Sequence, residues 1–243
     1  MRTNNVVMNV HSGRQSYGFT MTFPSSTVLE IMARAGFDFV SFDSEHGPFT
    51  PESIDDLCRI ADGVGITPMA RVPDIEPATI LRFLDRGIMG ILGPHITTKE
   101  KAEQLADACR YAPLGTRSFG SGRGAYYGDL LSGPEYMQHT NANVIVMAQL
   151  EDIAVLDNLD EILEVPGIDF YHSGPQDIAQ SLGLPGQPEH PGVKEFEETV
   201  RHAVHAAGKK MADEVMATAI TKDLILDAAR EFLEIHKNQY DLE

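Results

Sequence analysis

Short runs of β-branched and aromatic residues alternate along the chain with longer segments whose apolar residues recur every three or four positions. The first pattern suits a strand and the second an amphipathic helix. Residues 17–23 read as a strand, and residues 25–35 as a helix capped by Ser25 or Ser26. Residues 37–43 form a second strand. Thr50-Pro51-Glu52-Ser53 then opens a helix with Thr50 at the N-cap, proline in the first turn and an acid near the positive end of the dipole. Residues 67–72 are a third strand, followed by a helix ending at Arg86, and residues 90–93 a fourth, followed by a helix over 99–111. A glycine-rich loop over 115–128 leads into a helix near 133–140. Residues 144–150 are almost entirely apolar, as strands buried on both faces are. A helix over 153–163, a strand over 168–172, a short helix near 176–182 and a longer one over 193–207 complete the regular part.

Such alternation predicts a parallel sheet with right-handed crossovers, and so many units in one chain favour a closed barrel. The expected fold is α/β, a (β/α)8 TIM barrel forming one domain over residues 1–243, since such barrels commonly reach about 200–250 residues. The C-terminal quarter is one βα unit short. It shows a weak strand within 209–215 and a helix over 224–237. Either residues 216–220 hide a short strand, or the barrel is atypical, shortened or completed by another chain.

Composition narrows the function classes. The 243 residues are 42% hydrophobic, and 19 basic against 36 acidic residues leave a formal charge of −17. Nucleic-acid backbones and anionic membranes repel such a chain, so neither is an expected partner. An anionic substrate needs a local cation or metal. Cys58 and Cys109 fall within helical patterns without a CxxC partner and read as buried thiols of a reducing compartment. With no signal-peptide pattern and no membrane-length apolar run, the expected location is cytoplasmic.

In a barrel, chemistry collects where the strands end. Strand two ends in Asp43-Ser44-Glu45-His46-Gly47-Pro48, strand three in Arg71-Val72-Pro73 and strand four in Gly93-Pro94-His95. Strand five ends in Gln149-Leu150-Glu151-Asp152 and strand six in Ser173-Gly174-Pro175-Gln176-Asp177. One strand-end acid is commonly a helix cap or a solvated loop residue; five successive polar strand ends describe a pocket. Glu151 and Asp177 lie on successive ends and suit a hard divalent ion such as Mg²⁺ or Mn²⁺. Asp177 as a mere helix cap is the competing reading, and Asp152 is the rival ligand. Asp43, three residues before His46, is placed to orient that imidazole as a general base. Arg71 at the rim calls for an anionic partner, which a bound carboxylate or enolate would supply. Glu45 would pair with a loop cation. The free backbone N–H groups of the Gly174-Pro175-Gln176 turn could cradle a small carboxylate. A Schiff-base lysine needs desolvation inside the barrel, but Lys99, Lys101, Lys194, Lys222 and Lys237 read as helix-face or loop residues. Lys209 and Lys210 sit at the wrong end of a strand.

These motifs carry a resemblance. Phe37-Asp38-Phe39-Val40 running into Asp43–Pro48, Pro68-Met69-Ala70-Arg71-Val72-Pro73, Arg110-Tyr111-Ala112-Pro113-Leu114-Gly115-Thr116-Arg117, Gln149-Leu150-Glu151 and Gly174-Pro175-Gln176-Asp177 with Leu182-Gly183 resemble the HpcH/HpaI aldolase family in the same order. The resemblance implies a metal-dependent (class II) aldolase that cleaves 4-hydroxy-2-oxo acids into pyruvate and an aldehyde. It implies Glu151 and Asp177 as ligands of Mg²⁺, Mn²⁺ or Co²⁺, His46 with Asp43 as acid/base, and Arg71 on pyruvate oxygen. Gln149, Ser173 and Gly174 join the substrate-binding set, and the substrate is a small 2-oxo acid. It further implies a homo-oligomer, a hexamer or trimer of dimers, with exchanged C-terminal helices. Departures occur at His95, at Ser173, in the loop 121–127 and after Ala207. A decarboxylase of oxaloacetate, another lyase passing through an enolate, and a barrel retained only for binding or assembly are the alternatives.

Overall fold

Residues 2–129 and 133–237 are described by a computed structural model of the chain. Seven strands, β1 (Ser16–Met21), β2 (Phe39–Asp43), β3 (Thr67–Arg71), β4 (Gly90–Gly93), β5 (Ile145–Leu150), β6 (Phe170–Ser173) and β7 (Met216–Ile220), form one parallel sheet in the order β6-β5-β4-β3-β2-β1-β7. The helices are α1 (Asn5–His11) before β1, then α2 (Ser26–Ala35), α3 (Pro51–Val64), α4 (Pro77–Arg86), α5 (Lys99–Cys109), α6 (Gly133–Asn143), α7 (Val155–Glu164), α8 (Pro175–Ser181) and α9 (Pro191–Ala206) between strands, and α10 (Thr221–Lys237) after β7. The helix starts expected from sequence are made by Ser25, whose side chain accepts from Val28 N–H, and by Thr50, which forms a reciprocal capping box with Ser53. Each such cap stabilises its helix by about 1 kcal/mol.

The sheet is apolar on both faces, which is why its central strands do not alternate. Val40, Ala70, Ile91, Val146, Ala148 and Leu150 pack outward against the helices. Phe39, Met69, Leu92, Met147 and Phe170, at the opposite parity, pack on the inner face with Val6, Val7 and Val10 of α1. Asn4 and Asn5 fix that helix to the Met89, Asp38 and Gly65 carbonyls, so it covers the end where the strands begin. The other end is left for polar residues.

The C-terminal expectation needs correction. Residues 209–215 form no strand. Met211 makes a single parallel bridge to Tyr171, and Ala212–Glu214 turn as a 3-10 helix that packs between edge strands β6 and β7. Asp213 and Glu214 pair with Arg201 and His205 of α9, drawing the chain out of strand geometry. The strand is the alternative one, Met216–Ile220, paired with β1. Both cysteines are buried free thiols, with their pKa values pushed by burial to about 12. No helix among the described residues is long and apolar enough to cross a membrane.

Candidate active site

The polar rim is assembled by strand register. Asp43 and Arg71 are paired positions on β2 and β3. The guanidinium donates to both Asp43 oxygens, Nε at 3.0 Å and Nη2 at 2.8 Å, and Nε also lies 3.2 Å from Glu45 Oε2. Burial alone would raise the Asp43 carboxyl, but the Arg71 hydrogen bonds and charge hold it below the usual carboxylate range. Burial likewise works against the Arg71 charge, and Asp43 overcomes it. Arg71 therefore already meets two protein carboxylates, beside the bound carboxylate or enolate that the sequence offers as its anionic partner.

The turn after β2 closes with Gly47 N–H donating to the Asp43 carbonyl at 2.9 Å. A Cβ at position 47 would overlap that carbonyl, so glycine is required there. Within this turn, Asp43 Oδ1 accepts the backbone N–H of His46, while the His46 imidazole points away, 64% exposed and 3.8 Å from Glu45. The expected contact of Asp43 with the His46 ring is absent, because both Asp43 oxygens are committed to Arg71.

The imidazole that is held between acids is His95, two residues beyond β4. Its Nδ1 lies 3.0 Å from Glu151 Oε1 and its Nε2 lies 3.0 Å from Glu45 Oε1. Its backbone N–H donates to the same Glu151 oxygen at 3.1 Å. His95 adopts φ 53°, a left-handed conformation that costs a non-glycine residue about 1 kcal/mol or more and tends to survive at functional sites. The sequence placed His95 at a strand end but gave it no role, since its two carboxylate partners come from β2 and β5.

Glu151 is 1% exposed. Its Oε2 accepts from Gln149 Nε2, and the backbone just beyond β6, at Gly174, presses in so closely that a Cβ would overlap Oε2 and come within 2.8 Å of Gln149 Nε2. Glycine at 174 is thus a space requirement. Burial pushes the Glu151 carboxyl above its usual range; His95 opposes this, and repulsion from Asp177 and Glu45 adds to it. Asp177 lies in the first turn of α8, half-buried, and its carboxylate makes no hydrogen bond or ion pair among the described residues. It is therefore not the cap of its helix, whose N-cap is Gly174. Asp152 turns away and accepts from Ala154 N–H. Ser173 spends its hydroxyl on Glu197 at 2.8 Å.

Two carboxylates that repel each other in a largely buried corner, braced by neutral donors, have the chemistry of a cation site. Among the described residues no three His, Cys, Asp or Glu side chains converge on one metal position. Glu151 and Asp177 would leave most of a coordination sphere to water and substrate oxygens, as Mg²⁺ prefers. The donor set fits a hard divalent ion. The Gln149 Oε1 atom is buried without a partner, a further polar group facing this corner.

The sequence pattern of the HpcH/HpaI aldolase/citrate lyase family matches residues 19–238. A 2-keto-3-deoxy-L-rhamnonate aldolase of Shigella sonnei is 36% identical over 214 residues, covering 85% of this chain and 77% of that protein. A 4-hydroxy-2-oxovalerate aldolase of Rhodococcus jostii is 35% identical over 198 residues, covering 81% and 76%. The crystal structure of an HpcH/HpaI aldolase/citrate lyase family protein from Burkholderia cenocepacia superposes with a TM-score of 0.87 at 27% identity, covering 97% of this chain and all of that one.

Proposed function

The chain belongs to the HpcH/HpaI aldolase/citrate lyase family, and from that membership and the rim geometry we propose that it is a divalent-metal-dependent aldolase acting on 4-hydroxy-2-oxo acids. The observation that carries the reading is the Glu151–Asp177 carboxylate pair meeting the Arg71–Asp43–Glu45 cluster, through His95, at one end of one parallel sheet. Glu151 and Asp177 would hold Mg²⁺, Mn²⁺ or Co²⁺, which supplies a Lewis acid for the 2-oxo group when bound.

The protein's own residues do the rest. Arg71 has five N–H donors, of which Asp43 and Glu45 engage the one on Nε and Asp43 takes one of the two on Nη2. Its Nη1 hydrogens remain for the keto-acid oxygens, where they stabilise negative charge that grows as the C3–C4 bond breaks. Asp43 and Glu45 keep the guanidinium fixed, so no reorganisation is needed at that moment. His46 takes the proton of the 4-hydroxyl as the aldehyde departs and returns one in the condensation. Its exposed ring is free to approach a substrate oxygen. Gln149 orients Glu151, and the Gly174 backbone closes that side of the pocket. A barrel completed through the Tyr171–Met211 bridge, as one domain, is the architecture we infer for this site.

Release of pyruvate from 4-hydroxy-2-oxo acids tests the reading. Purified protein with Mn²⁺ should release it, EDTA should reduce the rate at least a hundredfold, and added metal should restore it. Full activity in excess EDTA would exclude the metal-dependent mechanism.

We also infer a homo-oligomer. Thr221 at the start of α10 is buried and bonds the Thr20 carbonyl. Beyond it Leu224, Ile225, Leu226, Phe232, Leu233 and Ile235 are exposed, as are Tyr17 of β1 and Ile220 of β7. A helix following a parallel strand ordinarily returns to cover the sheet. Exchange of α10 with a second copy would cover both apolar surfaces at once. Native mass spectrometry should show a hexamer or smaller multiple, and Phe232→Asp should shift it toward monomer; a monomeric wild type would overturn the exchange.

A further inference from the structure

His172 lies beneath the polar rim, on the inner face of β6 at the same parity as Phe170. It is paired in register with Gln149 of β5. Neighbouring strands stand about 4.8 Å apart, so the two side chains lie side by side on that face. His172 also lines a cavity of about 250 Å³, together with Thr20, Ser41, Thr218 and Asp213. Barrel interiors are ordinarily filled by layers of apolar side chains. Met69, Leu92 and Met147 line this cavity in that manner, and a histidine among them needs a polar partner.

The two neighbours are left with complementary gaps. Gln149 Oε1 and His172 Nδ1 are both buried without a hydrogen-bond partner. An amide oxygen only accepts, and a neutral imidazole carries its hydrogen on one of its two nitrogens. His172 is held toward the neutral form. Burial and the Arg71 charge lower its pKa from the ordinary histidine value, while Asp213 and the Ser173 backbone work the other way. With the hydrogen on Nδ1, the ring offers what Oε1 lacks; with it on Nε2, two acceptors would be left adjacent.

The other end of the amide connects this pair to the site. Gln149 Nε2 donates to Glu151 Oε2. A turned amide would set Oε1 against that carboxylate oxygen, and two acceptors repel. A donor on Oε1 therefore fixes which way the amide faces. Resting on the reading of Glu151 as a metal ligand, we propose that His172 is a positioning residue whose Nδ1–H donates to Gln149 Oε1, directly or through one water, and so holds the amide hydrogens on Glu151. The cavity has room for such a water. His172 touches neither substrate nor metal and acts only through Gln149, as outer hydrogen-bond partners of metal ligands do.

Calorimetric titration of the whole chain with Mn²⁺ reads the effect without turnover. His172→Leu should bind Mn²⁺ about ten- to a hundredfold more weakly than wild type, the usual loss on removing an outer hydrogen-bond partner. His172→Asn should bind close to wild type, because its amide N–H takes the place of Nδ1–H. The donor of His172→Gln reaches the Nε2 position instead, so that variant should be as weak as the leucine one. A merely structural role would not sort the two amides in this way. In the wild type, ¹⁵N NMR at neutral pH should show the His172 ring protonated on Nδ1 alone, its signals identified by their loss in His172→Asn. Leucine-variant binding equal to wild type, an asparagine variant as weak as leucine, or a ring protonated on Nε2 would each overturn the inference and leave the metal site standing. Failure of the wild type to bind Mn²⁺ would remove the metal reading and the inference with it.

Discussion

Glu151→Gln should lower metal-dependent turnover by about 10³-fold, the upper range for removing one electrostatic stabiliser from an active site. The amide keeps the shape of the side chain and an oxygen for the His95 backbone N–H, so the loss isolates the charge. Stability should move the other way. Glu151 is almost wholly buried, and its ionised form is disfavoured by burial and by the neighbouring Asp177 and Glu45. A neutral amide removes that penalty, so the metal-free variant should melt at or above the wild-type temperature. Calorimetric titration with Mn²⁺ should show at least a hundredfold weaker binding. Turnover within tenfold of wild type would remove Glu151 from the ligand set.

Arg71→Leu should have the largest combined effect. It leaves Asp43 and Glu45 facing each other in a mostly buried position without a cation, a change that costs about 3 kcal/mol, the low end of the range for breaking a buried pair because the Arg71 side chain is partly exposed. Activity should fall at least a hundredfold, since the guanidinium proposed to meet the keto-acid oxygens is gone. The pH dependence follows from Asp43, whose folded pKa is lowered. Its contribution is complete above the ordinary aspartate value and is lost as pH falls through the lowered folded value. The stability gap between wild type and Arg71→Leu should therefore be widest near neutrality and should narrow under acid, as urea titrations at several pH values would read. A gap independent of pH would show that the Asp43–Arg71 pair contributes little.

Much of the rim was legible in the sequence for a simple reason. A parallel strand places its last residue at the same end as every other strand, so local pattern alone aligns Asp43, Arg71, Glu151 and Ser173. Partners were harder to read. Asp43 is three residues from His46, and proximity suggested that the carboxylate serves the imidazole. Register instead set Arg71 beside it, and a bidentate guanidinium outcompetes a ring that can turn toward solvent. His95 went unassigned because its meaning lies in two acids, 50 and 56 residues away in sequence. At the C-terminus, the charged residues Asp213 and Glu214 are drawn to Arg201 and His205, contacts that no periodicity within 209–215 announces.

The division is physical. The sequence by itself determined the alternation of strands and helices, their caps, the apolar faces and the end of the sheet where chemistry collects, because these follow from local periodicity and side-chain type. Only the tertiary structure decided which carboxylate meets which cation, that His95 bridges Glu45 and Glu151, that Gly174 must lack a side chain, and which C-terminal segment becomes a strand. Those outcomes depend on cross-strand register and close approach between distant segments, where a difference of a few ångströms chooses the partner.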